Sequence, residues 1–260
     1  MSISAPVLTL TPMTNIFEMP KYGITIRKNS QGFFIPELKL LFDALATVDF
    51  DLEFILITHV HAHQCFSLPS LLSQTTVKAT VVVPTENKKS IINFVQALYP
   101  NGVPLEHEFI GVRHNDTVKI KNNMYLKVYE LDHVLPCYGY GLVIARSQLK
   151  KEYTGINRHE VIRLKRNGTQ LTEVIHEPML IYLSDTSVSI FEQYPEIYSY
   201  PYLIVSYTYD DQAEEKKKIN WLSLYPIILS HPDNIFVLFG ERKLPPQSEI
   251  SNLTNVVFTP

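Results

Sequence analysis

The sequence predicts an α/β fold, an αββα sandwich in which two packed β-sheets lie between helices. Three observations lead there. Short apolar runs recur in pairs along the chain, segments with helical spacing separate them, and no repeat, low-complexity tract or linker interrupts the 260 residues. A chain of that length can bury about three quarters of the surface it exposes when unfolded, and one domain over residues 1–260 is expected. With 45% hydrophobic and 19% charged residues it is neither disordered nor a coiled coil. No apolar run approaches the roughly 20 residues of a membrane span, so no membrane partner is expected.

The opening strands are read at residues 24–27 (Ile-Thr-Ile-Arg), where apolar and polar side chains alternate, and in the apolar runs 32–35 and 39–43. Pro36 has no amide N–H and is kept out of any central ladder position. Residues 54–57 (Phe-Ile-Leu-Ile) form the next strand, 67–73 suit the start of a helix, and 80–84 (Thr-Val-Val-Val-Pro) form another buried strand. Residues 87–98 have helical periodicity, with Ile91, Ile92, Val95 and Leu98 as the apolar face. Strand patterns resume at 117–120, 126–130 and 139–145, and again at 179–183 and 202–206. Residues 214–225 are read as helical, and 235–239 (Ile-Phe-Val-Leu-Phe) as the last strand.

The run 54–57 feeds into Thr58-His59-Val60-His61-Ala62-His63-Gln64, which sets three histidines two apart. A tight turn after a strand can aim alternate side chains at one point, and neutral imidazole is the commonest protein ligand for zinc, so His59 and His61 are read as sharing one ion. Asp185 also follows an apolar run, where packing alone does not account for a carboxylate, and it is read as a further ligand. Cys65 borders the histidine loop and Cys137 lies four residues after His133. Two cysteines so far apart make no disulfide framework, and both read as small buried thiols.

A net charge of −3 excludes a globally basic nucleic-acid binder, yet charge is uneven. Residues 146–166 carry seven basic side chains (Arg146, Lys150, Lys151, Arg158, Arg163, Lys165, Arg166) against Glu152 and Glu160. That patch of about +5 can engage several phosphates, with Arg146, Lys150, Lys151, Arg163, Lys165 and Arg166 as the candidates. The same segment also reads as a solvated helix and turn without a partner. The start, Met1-Ser2-Ile3-Ser4-Ala5-Pro6, has neither a basic-then-apolar leader nor an Arg-rich transit pattern. No signal peptide and an intracellular location, cytoplasmic or nuclear, are expected.

Thr58 to Gln64 resembles the signature loop of the metallo-β-lactamase fold, His-x-His-x-Asp-His, and Ser67-Leu68-Pro69 resembles the Gly-Leu-Pro that follows it in the transfer-RNA 3′-processing endonucleases, tRNase Z. The resemblance covers most of the chain. Residues 22–26 and 36–43 are similar to the opening of the short plant tRNase Z enzymes, as are 80–84, and Leu149-Lys150-Lys151-Glu152-Tyr153-Thr154-Gly155 is similar to their Lys-Lys-Glu-Tyr-x-Gly segment. His133 sits in a stretch, residues 131–140, that resembles the family's His-x-x-Pro-x-x-Gly-Tyr motif, which implies that His133 completes a first zinc site. Ser184-Asp185-Thr186 resembles the Gly-Asp-Thr loop, whose carboxylate bridges two zincs in the family.

The departures bear on function. Where the family has Asp then His, this chain has His63 then Gln64; Ser206 stands in place of a glutamate, Asn220 in place of its histidine partner, and Leu238 at the last zinc ligand. The resemblance then implies one zinc on His59, His61, His133 and Asp185, with the second site lost at His63, Gln64 and Leu238. A carboxamide is a weak zinc ligand and an isobutyl group is none, so at most one zinc per chain is expected. With the proton-transfer groups replaced too, the reading is a pseudoenzyme that binds tRNA, another RNA or a protein partner, as a homodimer or with an active paralogue. The alternative is a mononuclear zinc phosphodiesterase or ribonuclease acting on RNA or cyclic nucleotides, with His63 as its base.

Overall fold

The computed structural model describes residues 16–29, 32–45, 48–99, 106–209, 212–240 and 244–259. Residues Met1 to Pro6, read above for a leader, lie outside them. One sheet contains β1 (Ile16–Met19), β2 (Ile24–Asn29), β3 (Gly32–Ile35), β4 (Leu40–Phe42), β5 (Phe54–Leu56), β6 (Thr80–Pro84) and β7 (Glu108–Val112), in that spatial order. The other contains β8 (Thr117–Lys121), β9 (Met124–Glu130), β10 (Tyr138–Leu149), β11 (Thr172–Leu183), β12 (Tyr202–Ser206), β13 (Ile235–Phe239) and β14 (Val256–Phe258), again each beside the next. In both sheets an antiparallel meander gives way to parallel strands: β4 to β7 in the first, β11 to β14 in the second.

Side-chain parity builds the layers. Leu40, Phe42, Leu56 and Val82 face Leu180, Tyr182, Ile204 and Val237 of the other sheet in the central core. Their chain neighbours Leu41, Ile55, Val81 and Val83 point the other way, under the helices α1 (Ala62–Cys65), α2 (Leu68–Gln74) and α3 (Lys88–Leu98). Strands buried on both faces need continuous apolar runs, and that is why residues 54–57 and 80–84 show no alternation. Beyond α4 (Arg158–Arg166), the second sheet's outer face carries Ile181, Leu183, Leu203, Val205, Phe236 and Leu238. They pack against Ile190 and Phe191 of α5 (Ile190–Gln193) and Trp221, Leu224 and Ile228 of α6 (Trp221–Ser230), ahead of α7 (Gln247–Ile250). Among the described residues no helix is long and apolar enough to cross a membrane.

Two sequence expectations fail locally. The helix read at 214–225 instead begins at Trp221, where the Asn220 side chain accepts the Leu222 amide (2.9 Å) as an N-cap, and runs to Ser230. The charged stretch before it lacks an apolar face and folds as turns, with Lys217 left-handed at φ 50°. Leu98, placed on the apolar face of α3, is 58% exposed, because the helix docks through Ile91 and Val95 in its first two turns.

Strand direction sets where loops meet. β9 and β11 both run antiparallel to β10, so they end at the same edge. The segments after β4, β5, β9, β11 and β12 carry Asp43, His59 and His61, His133, Asp185 and the loop following Ser206. Ligands in such sheets sit outside the carboxyl ends of parallel strands.

Candidate metal centre

His59 and Thr58 are fully buried at the end of β5, and their surroundings orient the ring. The Thr58 amide and hydroxyl donate to Asp43 Oδ1 at 2.8 and 2.9 Å, and Tyr182, from the opposite sheet, donates to Asp43 Oδ2 at 3.1 Å. With the Thr58 hydroxyl proton turned to Asp43, His59 Nδ1–H donates to Thr58 Oγ1 (3.0 Å), which leaves the Nε2 lone pair facing outward. That nitrogen lies 3.0 Å from His61 Nδ1, and His133 Nε2 lies 3.4 Å from the same atom. One ligand atom from each of His59, His61, His133 and Asp185 falls within 4.8 Å of the others.

The donor set fits a transition metal. Two nitrogens each about 2 Å from a tetrahedral ion lie roughly 3.3 Å apart, which is the spacing of these imidazoles. Burial is the main cause holding His59 and His133 below the ordinary imidazole range, against the opposing pull of Asp185. They are therefore neutral near pH 7, the form that ligates. Among the described residues, His133 Nδ1 and Gln64 Oε1 are buried without a hydrogen-bond partner.

Asp185 is held differently from a free ligand. Ser206 Oγ donates to its Oδ1 (3.3 Å), and Lys218 Nζ lies 3.2 Å from its Oδ2. Burial alone would raise its carboxyl, but Lys218 and His59 more than offset this, and it lies below the usual range. Next to His133, Asp132 binds Lys217 Nζ (2.6 Å) and the Ser187 hydroxyl (2.7 Å). Sequence reasoning did not single out Asp43, Thr58, Lys217 or Lys218. The available signal was Asn220 ahead of Trp-Leu-Ser-Leu, a helix start that takes the lysines out of the helix.

The remaining candidates separate. His63, in the first turn of α1, is exposed, with its ring 5.5 Å from His61. Gln64 is buried beneath the loop. Asn220 is spent on capping α6 and pairs by a bridge with Thr208. Leu238 lies apart from the cluster: by the strand register it is level with Val205 and so with Leu183, two residues short of Asp185, and it packs into the outer helix layer. The element end that approaches the centre from β13 is Gly240, where a Cβ would sit 3.1 Å from Ser206 Oγ.

Basic residues 146–166 are carried away from this edge. β10 starts near His133 and runs for 12 residues, a span of up to about 40 Å, and β11 returns to Asp185. α4, capped by Asn157, hangs between them with no buried residue. Arg146 is paired with Glu177 (3.0 Å) and Arg163 with Glu160 (2.5 Å), whereas Lys150, Lys151, Lys165 and Arg166 have no carboxylate at ion-pair distance among the described residues.

Asp43 supports a stability test. Its carboxyl is pushed up to about 7, because burial raises it more than the Thr58 and Tyr182 hydrogen bonds lower it. The folded chain keeps a proton there that the unfolded chain releases near pH 4, so the group's contribution to stability is full below about pH 4 and is lost as pH rises through about 7. The melting temperature is expected to fall across that window, and less steeply in Asp43→Asn.

No family model matches the chain. It is 24% identical over 172 residues to the chloroplastic tRNase Z TRZ2 of Arabidopsis thaliana, a match covering 64% of this chain and 49% of that one. It is 23% identical over 175 residues to tRNase Z TRZ1 of the same plant, covering 65% of this chain and 62% of that one. The match thus spans less than two thirds of either relative. Among solved structures, the human short-form tRNase Z superposes with a TM-score of 0.54 at 15% identity, over 90% of this chain and 88% of that one. The metallo-β-lactamase fold protein YhfI of Bacillus subtilis gives 0.55 at 10% identity, over 92% and 88%. The chain has the metallo-β-lactamase fold and is similar to tRNase Z in sequence.

Proposed function

We propose that this chain is a tRNase Z-like protein with a one-zinc centre that binds RNA and has lost efficient pre-tRNA cleavage. The observation that carries this reading is Asp185, whose two oxygens are engaged by Ser206 and Lys218. A two-metal phosphodiesterase needs its ions a few ångströms apart, clamping the attacking and leaving oxygens. Zinc held by His59, His61, His133 and Asp185 would supply Lewis acidity toward a phosphoryl oxygen. Ser206 and Asn220 bring only neutral groups to the positions of proton transfer, and such help is commonly worth about 10²- to 10⁴-fold.

The basic residues on the β10–β11 hairpin support RNA as the partner. RNA affinity is expected to fall as salt rises, each phosphate contact on a single strand adding about −0.7 to the log–log slope. Changing Lys150, Lys151, Arg163 and Lys165 together to Glu should weaken binding and flatten that slope. Unchanged binding by the quadruple variant would assign the hairpin to another task. One observation favours the mononuclear phosphodiesterase as a second reading: His63 is exposed beside the cluster, where a base would stand.

A further inference from the structure

The turn before α6 delivers two successive lysines to the metal centre. Left-handed Lys217 reverses the chain, and the Lys218 amide donates to the Ala213 carbonyl at 2.7 Å. Lys217 Nζ then reaches Asp132 beside His133, while Lys218 Nζ reaches Asp185 Oδ2. The Asp185 side chain is only 7% exposed and that of Lys218 is 38% exposed, so the ammonium closes a buried carboxylate from the solvent side. An ammonium has three N–H donors. One goes to Asp185, which leaves two, and the ammonium is near enough to the exposed His63 ring for its charge to act on it.

We propose that Lys218 is a tethered cation standing in for a second metal ion: it neutralises Asp185 and, with His63, forms a subsite for a phosphate oxyanion beside the bound ion. This rests on the one-zinc reading. A fixed positive charge at Asp185 opposes a divalent ion at the neighbouring imidazoles and attracts an anion. A surface ion pair without a role in the site would do neither.

Zinc titration of metal-free protein, followed by inorganic phosphate titration of the zinc-loaded form, separates these outcomes. Lys218→Met is expected to bind zinc about tenfold or more tightly and phosphate more weakly by a similar factor, since unit charges at contact distance in a half-buried site exceed what a tenfold change requires. Opposite signs cannot come from a damaged fold, and Lys218→Gln, checked by thermal melting, serves as the second variant. Lys218→Arg should keep both affinities near those of the unmodified chain. Zinc uptake by all proteins without that opposed pair of changes overturns the role of Lys218 and leaves the one-zinc reading standing. No zinc uptake by any of them overturns both.

Discussion

His61→Ala is expected to yield a folded protein that has lost its metal. The ring is only half-buried, yet its Nδ1 is the atom that both His59 Nε2 (3.0 Å) and His133 Nε2 (3.4 Å) face. Its removal takes a ligand from the middle of the cluster and leaves the Asp43–Thr58–His59 relay in place. Losing an outer hydrogen-bond partner of a ligand commonly costs 10- to 100-fold in metal affinity, roughly, and losing the ligand itself should cost more. Elemental analysis should find at most one transition-metal ion per unmodified chain and none in the variant, with melting temperatures within a few degrees. Two tightly held zincs per unmodified chain would overturn the one-ion proposal.

Cleavage of pre-tRNA 3′ ends is expected to be absent, or several orders of magnitude below that of a two-zinc tRNase Z, because on the proposed one-zinc reading a metal and the proton-transfer groups are missing together. The route to recovery follows from the geometry. His63→Asp with Gln64→His restores ligand types on the histidine loop, and Lys218→Ala removes the cation from Asp185. The triple variant should gain a second zinc before it gains turnover, since Ser206 and Asn220 still provide no acid for the leaving oxygen. Leu238→His, which the sequence resemblance alone would suggest, should add no metal. It puts an imidazole into the apolar layer with Leu203, Phe236 and Ile228 and should cost about 2–4 kcal/mol. Robust zinc-dependent cleavage by the unmodified chain, abolished by His63→Ala, would instead establish the mononuclear phosphodiesterase.

The metal-binding half of the centre was more legible than its surroundings. His59 and His61 follow a doubly buried strand of one sheet by a fixed count of residues, and His133 and Asp185, which the family resemblance marked, lie just beyond strand ends of the other sheet. Leu238 faces the outer helix layer two residues short of Asp185 by strand register, and a shift of two along a strand keeps the face while moving the side chain roughly 7 Å. Asn220, which the resemblance places where the family has a histidine, also has a local task ahead of an apolar helix, accepting from one of its first free amides.

The sequence by itself determined the two-sheet sandwich, because apolar parity along each strand leaves faces that must be buried, and the histidine loop after a buried strand; the grouping of His133 and Asp185 with His59 and His61 was what the family resemblance implied, and the four side chains lie together in the structure. Only the tertiary structure decided what surrounds that cluster. Asp43 is tied to His59 through Thr58 and to Tyr182 across the two sheets, and the Tyr182 contact spans 139 residues in sequence and depends on how the sheets stack. Lys218 reaches Asp185 because a left-handed residue turns a charged segment back over the site. Such contacts follow from loop geometry rather than from hydrophobic period; the helix start at Asn220 puts the lysines in a turn but does not name their partners.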